Sequence, residues 1–377
     1  MLLNETQAMV RDTMRAFAQE RLWPNAPRWD REHHFPREEL RLLGELGALG
    51  MVVAESDGGA GSDYVSLAVT IEEIAAGDGA TSTVVAVQNS VVCGPIAVFG
   101  DDSQKSRFLR PLASGEHLGC FCLSEPGAGS DAAALATRAE RRGDHFILNG
   151  VKQFITTGKN ADTAIVFAVT DRNAGKRGIS AFIVDTATPG YRVARLEEKL
   201  GQRASDTAQI ALEDCAVPAS NLLGKEGEGY RIALYNLEAG RIGIGAQAVG
   251  MARSAFDAAI AYARERAAFG KPIVDHQAVA FRLADMATEI EVARQMVWHA
   301  AQLRDLGLPC LREASMAKLF ASEMAERVVS AALQVHGGYG YVSDFPIERI
   351  YRDVRVCQIY ERTSDIQRMV IARDLLR

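Results

Sequence analysis

The chain is 377 residues long, 48% hydrophobic and 24% charged, with a formal net charge of −6. That length is too great for one simple core, so two or three domains or layers of an ordinary globular protein are expected. The acidic balance excludes a broad basic footprint for nucleic acid or an anionic membrane, leaving room only for a local positive patch that would meet a phosphorylated ligand.

The opening stretch, MLLNETQAMVRDTMRAFAQE, has no basic start leading into an unbroken apolar run and does not read as a signal peptide. Asn4 and Gln7 have capping-box spacing, and Val10, Met14, Phe17 and Leu22 follow at helical intervals. No apolar run approaches the length needed to cross a bilayer, so the expectation is a cytoplasmic chain or a mature organelle form. Ala- and Leu-rich segments then alternate with breakers such as WPNAP, ESDGGAGSD and GDGATS. Residues 1–119 are expected to form a helical domain.

Between 120 and 228 the pattern turns to β. HFILNGVKQFITTG places Asn149-Gly150 between two short alternating runs, the pattern of a hairpin turn. TAIVFAVT, SAFIVD and AQIAL are further strand-length runs, predicting a small β-barrel or sandwich. From 229 to 377 long helical patterns return, the first ending at Gly270, and their antiparallel packing would make a four-helix bundle. The cysteines at 93, 120, 122, 215, 310 and 357 show no paired CxxC spacing and read as buried free thiols rather than a disulfide set or metal site.

No GxGxxG after a strand, GxxxxGK[ST], GxSxG or HExxH occurs, which argues against Rossmann, P-loop, serine-hydrolase and zinc-hydrolase chemistry. Chemistry can instead be placed in five short stretches. In CLSEPGAGSD (122–131), Gly127, Ala128 and Gly129 let backbone N–H groups approach a flat ligand, while Ser124 and Ser130 add hydroxyls. In QFITTG (153–158), Phe154 and Thr156 are two apart on a strand and so face the same way. RAAFGKP (266–272), followed by His276 and Gln277, and QVHGGYGY (334–341) would cradle a diphosphate with Arg266 neutralising it. QIYERTSDIQR (358–368) carries Glu361, either a proton-abstracting base or half of an ordinary ion pair with Arg362. Each stretch also has a plain reading: a polar turn, a core Phe or a helix C-cap.

The order CLSEPGAGSD, NGVKQFITTG, AGR, RAAFGKP, HGGYG, IYERTSDIQ, spread over the whole chain, resembles the acyl-CoA dehydrogenase family. The resemblance implies an α+β fold with an N-terminal helical domain, a central β-barrel domain and a C-terminal four-helix-bundle domain, bounded at 119/120 and 228/229. It also implies a homotetramer with one FAD per subunit. Phe121, Leu123, Ser124, Phe154, Ile155 and Thr156 would surround the isoalloxazine, with Ser130 at its edge. Arg266, Phe269, His276, Gln277, Gln334, Val335, His336, Gly337 and Gly338 would meet the FAD tail across a subunit boundary. Thr363, Ser364 and Asp365 fall where the family touches FAD again. Ser130, Glu238, Ala239, Gly240, Arg241 and Arg373 would contact the acyl-CoA.

The implied reaction is α,β-dehydrogenation of an acyl-CoA to its trans-2-enoyl product, with electrons leaving to an electron-transferring flavoprotein. Glu361 is the expected base, made effective by an apolar cavity that raises its pKa. Relatives that carry the base on the first bundle helix would place it at Gly240, which cannot serve, and Glu238 lies about 200° around that helix. LADMAT, SMAKLFA, LEDCAVP and HGGYGY are most similar to short- and branched-chain members, isobutyryl-CoA dehydrogenase among them. Two positions depart from the family: Arg362 where Gly is usual, and Ala268 where Thr is common. Ser82 stands where glutaryl-CoA dehydrogenases have an Arg for the acyl carboxylate, which disfavours a dicarboxylic substrate. Other readings are a repurposed flavoenzyme such as a desulfinase, which the presence of Glu361 opposes, and a non-catalytic flavoprotein binder of nucleic acid or a partner, which the acidic charge opposes.

Overall fold

The computed structural model describes residues 2–376. The first helix, Glu5–Phe17, begins with the expected capping box: Gln7 N donates to Asn4 Oδ1 at 2.8 Å and Asn4 N to Gln7 Oε1 at 3.0 Å. Tyr64–Gly77 is capped by Asp63, and Asp78 then caps Gly79–Val87. Helical backbone runs on to Phe99, giving a 21-residue stretch that contains an 18-residue segment with a mean hydropathy of 1.5. This corrects the expectation that no apolar run reaches spanning length. That segment is 72% buried inside the fold, the state of a core helix.

The strand region is one eight-stranded sheet whose end strands, Tyr191–Leu196 and Leu222–Leu223, do not pair with each other. It is thus barrel-like without being closed by hydrogen bonds. Along Thr163–Val169 alternate residues serve different cores. Ile165 and Phe167 pack with Val92, Ile96 and Leu109 of the N-terminal helices, while Ala164, Val166 and Ala168 pack with Phe146, Leu148 and Ile210. Burial on both faces explains the unbroken apolar run.

Asn149-Gly150 is not a hairpin turn. His145–Thr156 is one continuous strand, with a register shift between Leu148 and Gly150. The hairpin lies earlier, where Arg142 pairs with His145 around Gly143 at φ +64°. The Asn149 side chain instead joins Asp214 across the sheet at 2.9 and 3.1 Å. Gly150 passes so close to Thr137 that a Cβ would lie 2.4 Å from its hydroxyl oxygen. A close backbone approach, rather than a turn, therefore requires this glycine.

Gly229–Glu265, Gln277–Asp305 and Leu311–His336 form the long helices of the bundle, and Ser364–Leu375 packs on the third. The first stops at Glu265, short of Gly270, because Phe269 and Gly270 turn a two-stranded ribbon with φ +52° and +82°. Ile71 and Ile74 from the N-terminal part share one core with Ile242, Val249, Met324 and Val328 of the bundle. All six cysteines are buried free thiols.

Candidate active site

Among the described residues eight non-glycines have positive φ, and five of them are at or beside expected site positions: Phe154, Thr157, Phe269, Glu361 and Arg362. Left-handed backbone costs an L-residue about 1–2 kcal/mol, and such strain gathers at functional sites.

Glu361 follows a short helical turn, Arg355–Gln358, and precedes the helix Ser364–Leu375. Its carboxyl lies against Gly240, where a Cβ would come within 2.8 Å of Cδ and Oε2 and 3.0 Å of Oε1. Any side chain there would have to displace the carboxyl. Oε2 is buried with no hydrogen-bond partner. Burial pushes the carboxyl above its ordinary value, and the facing cations Arg241, Lys318 and Arg362 pull it part of the way back. The neighbouring Tyr360 is anchored on the other side, its hydroxyl meeting Gln247 and, at 3.3 Å, Gln202.

Glu238 faces away from this carboxyl. It meets Arg304 at 3.2 Å and the Cys310 thiol at 3.7 Å, so its side chain is committed elsewhere. Ala239 and Arg241 are buried, and Arg241 Nε donates to Gln367 Oε1 at 3.0 Å. Ser130 is exposed and its carbonyl accepts from Arg362 Nη1. Arg373 is exposed on the last helix. Thr363 is half-buried, Ser364 Oγ is buried without a partner, and Asp365 is exposed.

Phe121, Leu123 and Ser124 are half-buried at the end of the strand Gly119–Cys122, with Phe121 edge-on to Phe167 at 4.8 Å. The loop that follows is fastened from beneath. Buried Lys152 Nζ meets Glu125 Oε1 at 2.7 Å and the Leu123 carbonyl at 3.3 Å, and Glu125 also accepts from Ala136 N and Thr137 N. A register shift between Lys152 and Ile155 turns Phe154 outward, 67% exposed, beside half-buried Thr156. A bulge, not simple alternation, therefore sets the Phe154–Thr156 pair. Ile155 packs into the sheet core and can offer a ligand only its backbone.

Arg266, Phe269, Gln277, Gln334, Gly337 and Gly338 are exposed, Phe269 at 97%. His276 is half-buried and bonded to the Ala268 carbonyl at 3.1 Å. Val335 and His336 are largely buried, His336 stacking on Tyr262 at 4.5 Å, and both border the same groove as Gly337 and Gly338. Arg266, Gly337, Gly338 and Tyr339 line a groove of about 600 Å³. Two features escaped sequence reasoning. Lys318 and Gln367 both hold the Glu361–Arg362 backbone, and only their burial inside helices marks them.

Three family models match the chain: acyl-CoA dehydrogenase N-terminal domain over 4–116, middle domain over 120–215 and C-terminal domain over 227–376. The chain belongs to the acyl-CoA dehydrogenase family, a family of FAD-dependent oxidoreductases. It is 48% identical over 375 residues to the mitochondrial short-chain specific acyl-CoA dehydrogenase of Rattus norvegicus, covering 100% of this chain and 91% of the relative. It is similar in structure to butyryl-CoA dehydrogenase from Megasphaera elsdenii, with a TM-score of 0.98, 40% identity and coverage of 100% of both chains. It is also similar to a chain in the structure "Electron transferring flavoprotein of Acidaminococcus fermentans: Towards a mechanism of flavin-based electron bifurcation", with a TM-score of 0.99, 46% identity and coverage of 100% and 99%.

The residues present fit FAD. Gly127, Gly129, Gly337 and Gly338 have nothing within 4 Å of where a Cβ would be, which leaves open backbone for a ligand. Outward aromatic rings at Phe154 and Phe269 and the unpartnered Ser364 hydroxyl suit a flat polar cofactor. Within one chain, no hydrogen bond or ring contact among the described residues joins the group around Phe121 and Phe154 to the group around Arg266 and Gly338.

Proposed function

We propose that this chain dehydrogenates a short-chain acyl-CoA, straight or branched, to the trans-2-enoyl-CoA, with Glu361 as the base that takes the α-proton. The observation that carries the reading is the buried, unpartnered Glu361 oxygen lying against Gly240, with a pKa raised by burial. A base is most effective when its pKa lies near the working pH. Phe121, Leu123, Ser124, Phe154 and Thr156 flank the flavin ring. Arg266, Phe269, Gln277 and Gly337–Gly338 of a second copy hold the tail, which is why a homotetramer is proposed. Ser130 and Arg373 contact the acyl-CoA. FAD, when bound, would supply the acceptor for the β-hydrogen as hydride, and an electron-transferring flavoprotein would be the onward acceptor. The three-part division at 119/120 and 228/229 is supported by strand pairing from Gly119 and by the long helix from Gly229.

A carboxylate-bearing acyl group is disfavoured. Ser82 is fully buried and bonded to the Gly79 carbonyl and to Gln247, so no cation stands at that position. The test is anaerobic loss of flavin absorbance on adding butyryl-, isobutyryl-, octanoyl- or glutaryl-CoA, in the native protein and in Glu361→Gln. Butyryl- or isobutyryl-CoA should bleach the native protein, and Glu361→Gln should slow bleaching by about 10²–10⁴-fold with FAD content unchanged. Bleaching by none of the four refutes the dehydrogenase reading. Bleaching by glutaryl-CoA alone refutes the substrate class, and an unimpaired Glu361→Gln refutes the base.

A further inference from the structure

The base stands on two successive left-handed residues, Glu361 at φ +48° and Arg362 at φ +72°. Such a pair persists only where its surroundings over-determine it. Here the surroundings are buried donors. Lys318, fully buried on the helix Leu311–His336, donates from Nζ to the Arg362 carbonyl at 2.6 Å. Gln367, fully buried on Ser364–Leu375, donates from Nε2 to the Glu361 carbonyl at 3.2 Å and the Arg362 carbonyl at 3.1 Å. Arg241 fixes Gln367 in turn through Nε and Oε1 at 3.0 Å. Both carbonyls of the strained pair are therefore tied inward, while the carboxyl lies against Gly240.

A neutral amide already reaches both carbonyls, so satisfying them does not require an ammonium. Burying one is costly unless its charge is matched. No carboxylate comes within ion-pair distance of Lys318 among the described residues. The groups facing it are the Cys357 thiol, the Glu361 carboxyl and the Arg241 guanidinium.

We propose that Lys318 is a positioning residue for the base: its ammonium pins the Arg362 carbonyl, fixes the left-handed turn that sets the Glu361 carboxyl over Gly240, and presents a positive charge to that carboxyl. This rests on Glu361 being the base. Burial lowers the Lys318 pKa to about 8, and the cation favours ionised Glu361 alongside Arg241 and Arg362. Its loss should move the acid limb of the activity profile to higher pH, because the carboxyl then keeps its proton further up the scale.

The experiment compares native holoenzyme with Lys318→Met and Gln367→Leu, measuring kcat and KM for butyryl-CoA from about pH 5 to 9 together with FAD content and melting temperature. Lys318→Met should lower kcat about 10²-fold, the cost of misplacing a reacting group by about 1 Å, with KM little changed and the acid limb shifted upward. Gln367→Leu should lower kcat with the limb unmoved, because it removes donors without removing charge. This second variant still tests the positioning of the turn if Lys318→Met does not fold. An unchanged kcat and limb in Lys318→Met overturns the proposal. So does a fall in kcat that merely tracks lost FAD and melting temperature with the limb in place. An inert native enzyme, or an active Glu361→Gln, would instead overturn the base reading on which it rests.

Discussion

Gly240→Ala is the sharpest perturbation available. The new methyl would stand 2.8 Å from Glu361 Cδ and Oε2 and 3.0 Å from Oε1. Carbon atoms settle at about 3.5–4.0 Å, so the carboxyl must withdraw by about 1 Å. A displacement of that size at a reacting group costs about 10²-fold in rate. Stability should stay level or fall slightly. Ala for Gly within the helix Gly229–Glu265 gains about 1 kcal/mol, offset by overpacking of about 1–3 kcal/mol. The atoms met are the end of a rotatable side chain, which holds that cost at the low end. Stopped-flow bleaching by butyryl-CoA measures the first effect and urea denaturation of the holoenzyme the second. A kcat within about threefold of the native value, in a folded variant with full FAD, would show that the carboxyl does not react from the space over Gly240 and would refute the reasoning.

Asp353 is buried, and burial raises its pKa from 3.8 to about 7, with Asp78 adding to the rise and Arg349 opposing it. The folded chain therefore keeps a proton that the unfolded chain releases between those values. Stability falls as pH rises through that window and stays reduced above it. Asp353→Asn should be stabilising at pH 8 and neutral at pH 4, and parallel melting curves for the two proteins across that range would refute the assignment. Lys152→Met leaves Glu125 as an unpaired buried charge and should cost about 3–5 kcal/mol in denaturant unfolding. A loss below about 1 kcal/mol would mean that the loop 122–137 does not depend on this pair.

What the chain could say by itself was local. The Asn4–Gln7 cap, the alternation from helix to strand to helix and the ordered motifs were legible because propensity, capping and motif spacing act over a few residues. Glu361 was singled out by its motif, and Gly240 was recognised as unable to act as base. Only the tertiary structure decided why Gly240 must be glycine, since a carboxyl from another element occupies the space of its side chain. It also turned Asn149-Gly150 from a hairpin into an irregularity within one strand, where Thr137, just before the strand at Arg138, crowds Gly150 and Asp214 of a neighbouring strand bonds Asn149. The commitment of Glu238 to Arg304 and of the Ile155 side chain to the sheet core likewise comes from partners distant in sequence. Arg241 and Gln367, 126 positions apart, meet beneath a strained turn that no local pattern announces. Backbone propensity is set by neighbours in sequence, whereas burial, close approach and the shift of a carboxyl pKa are set by neighbours in space.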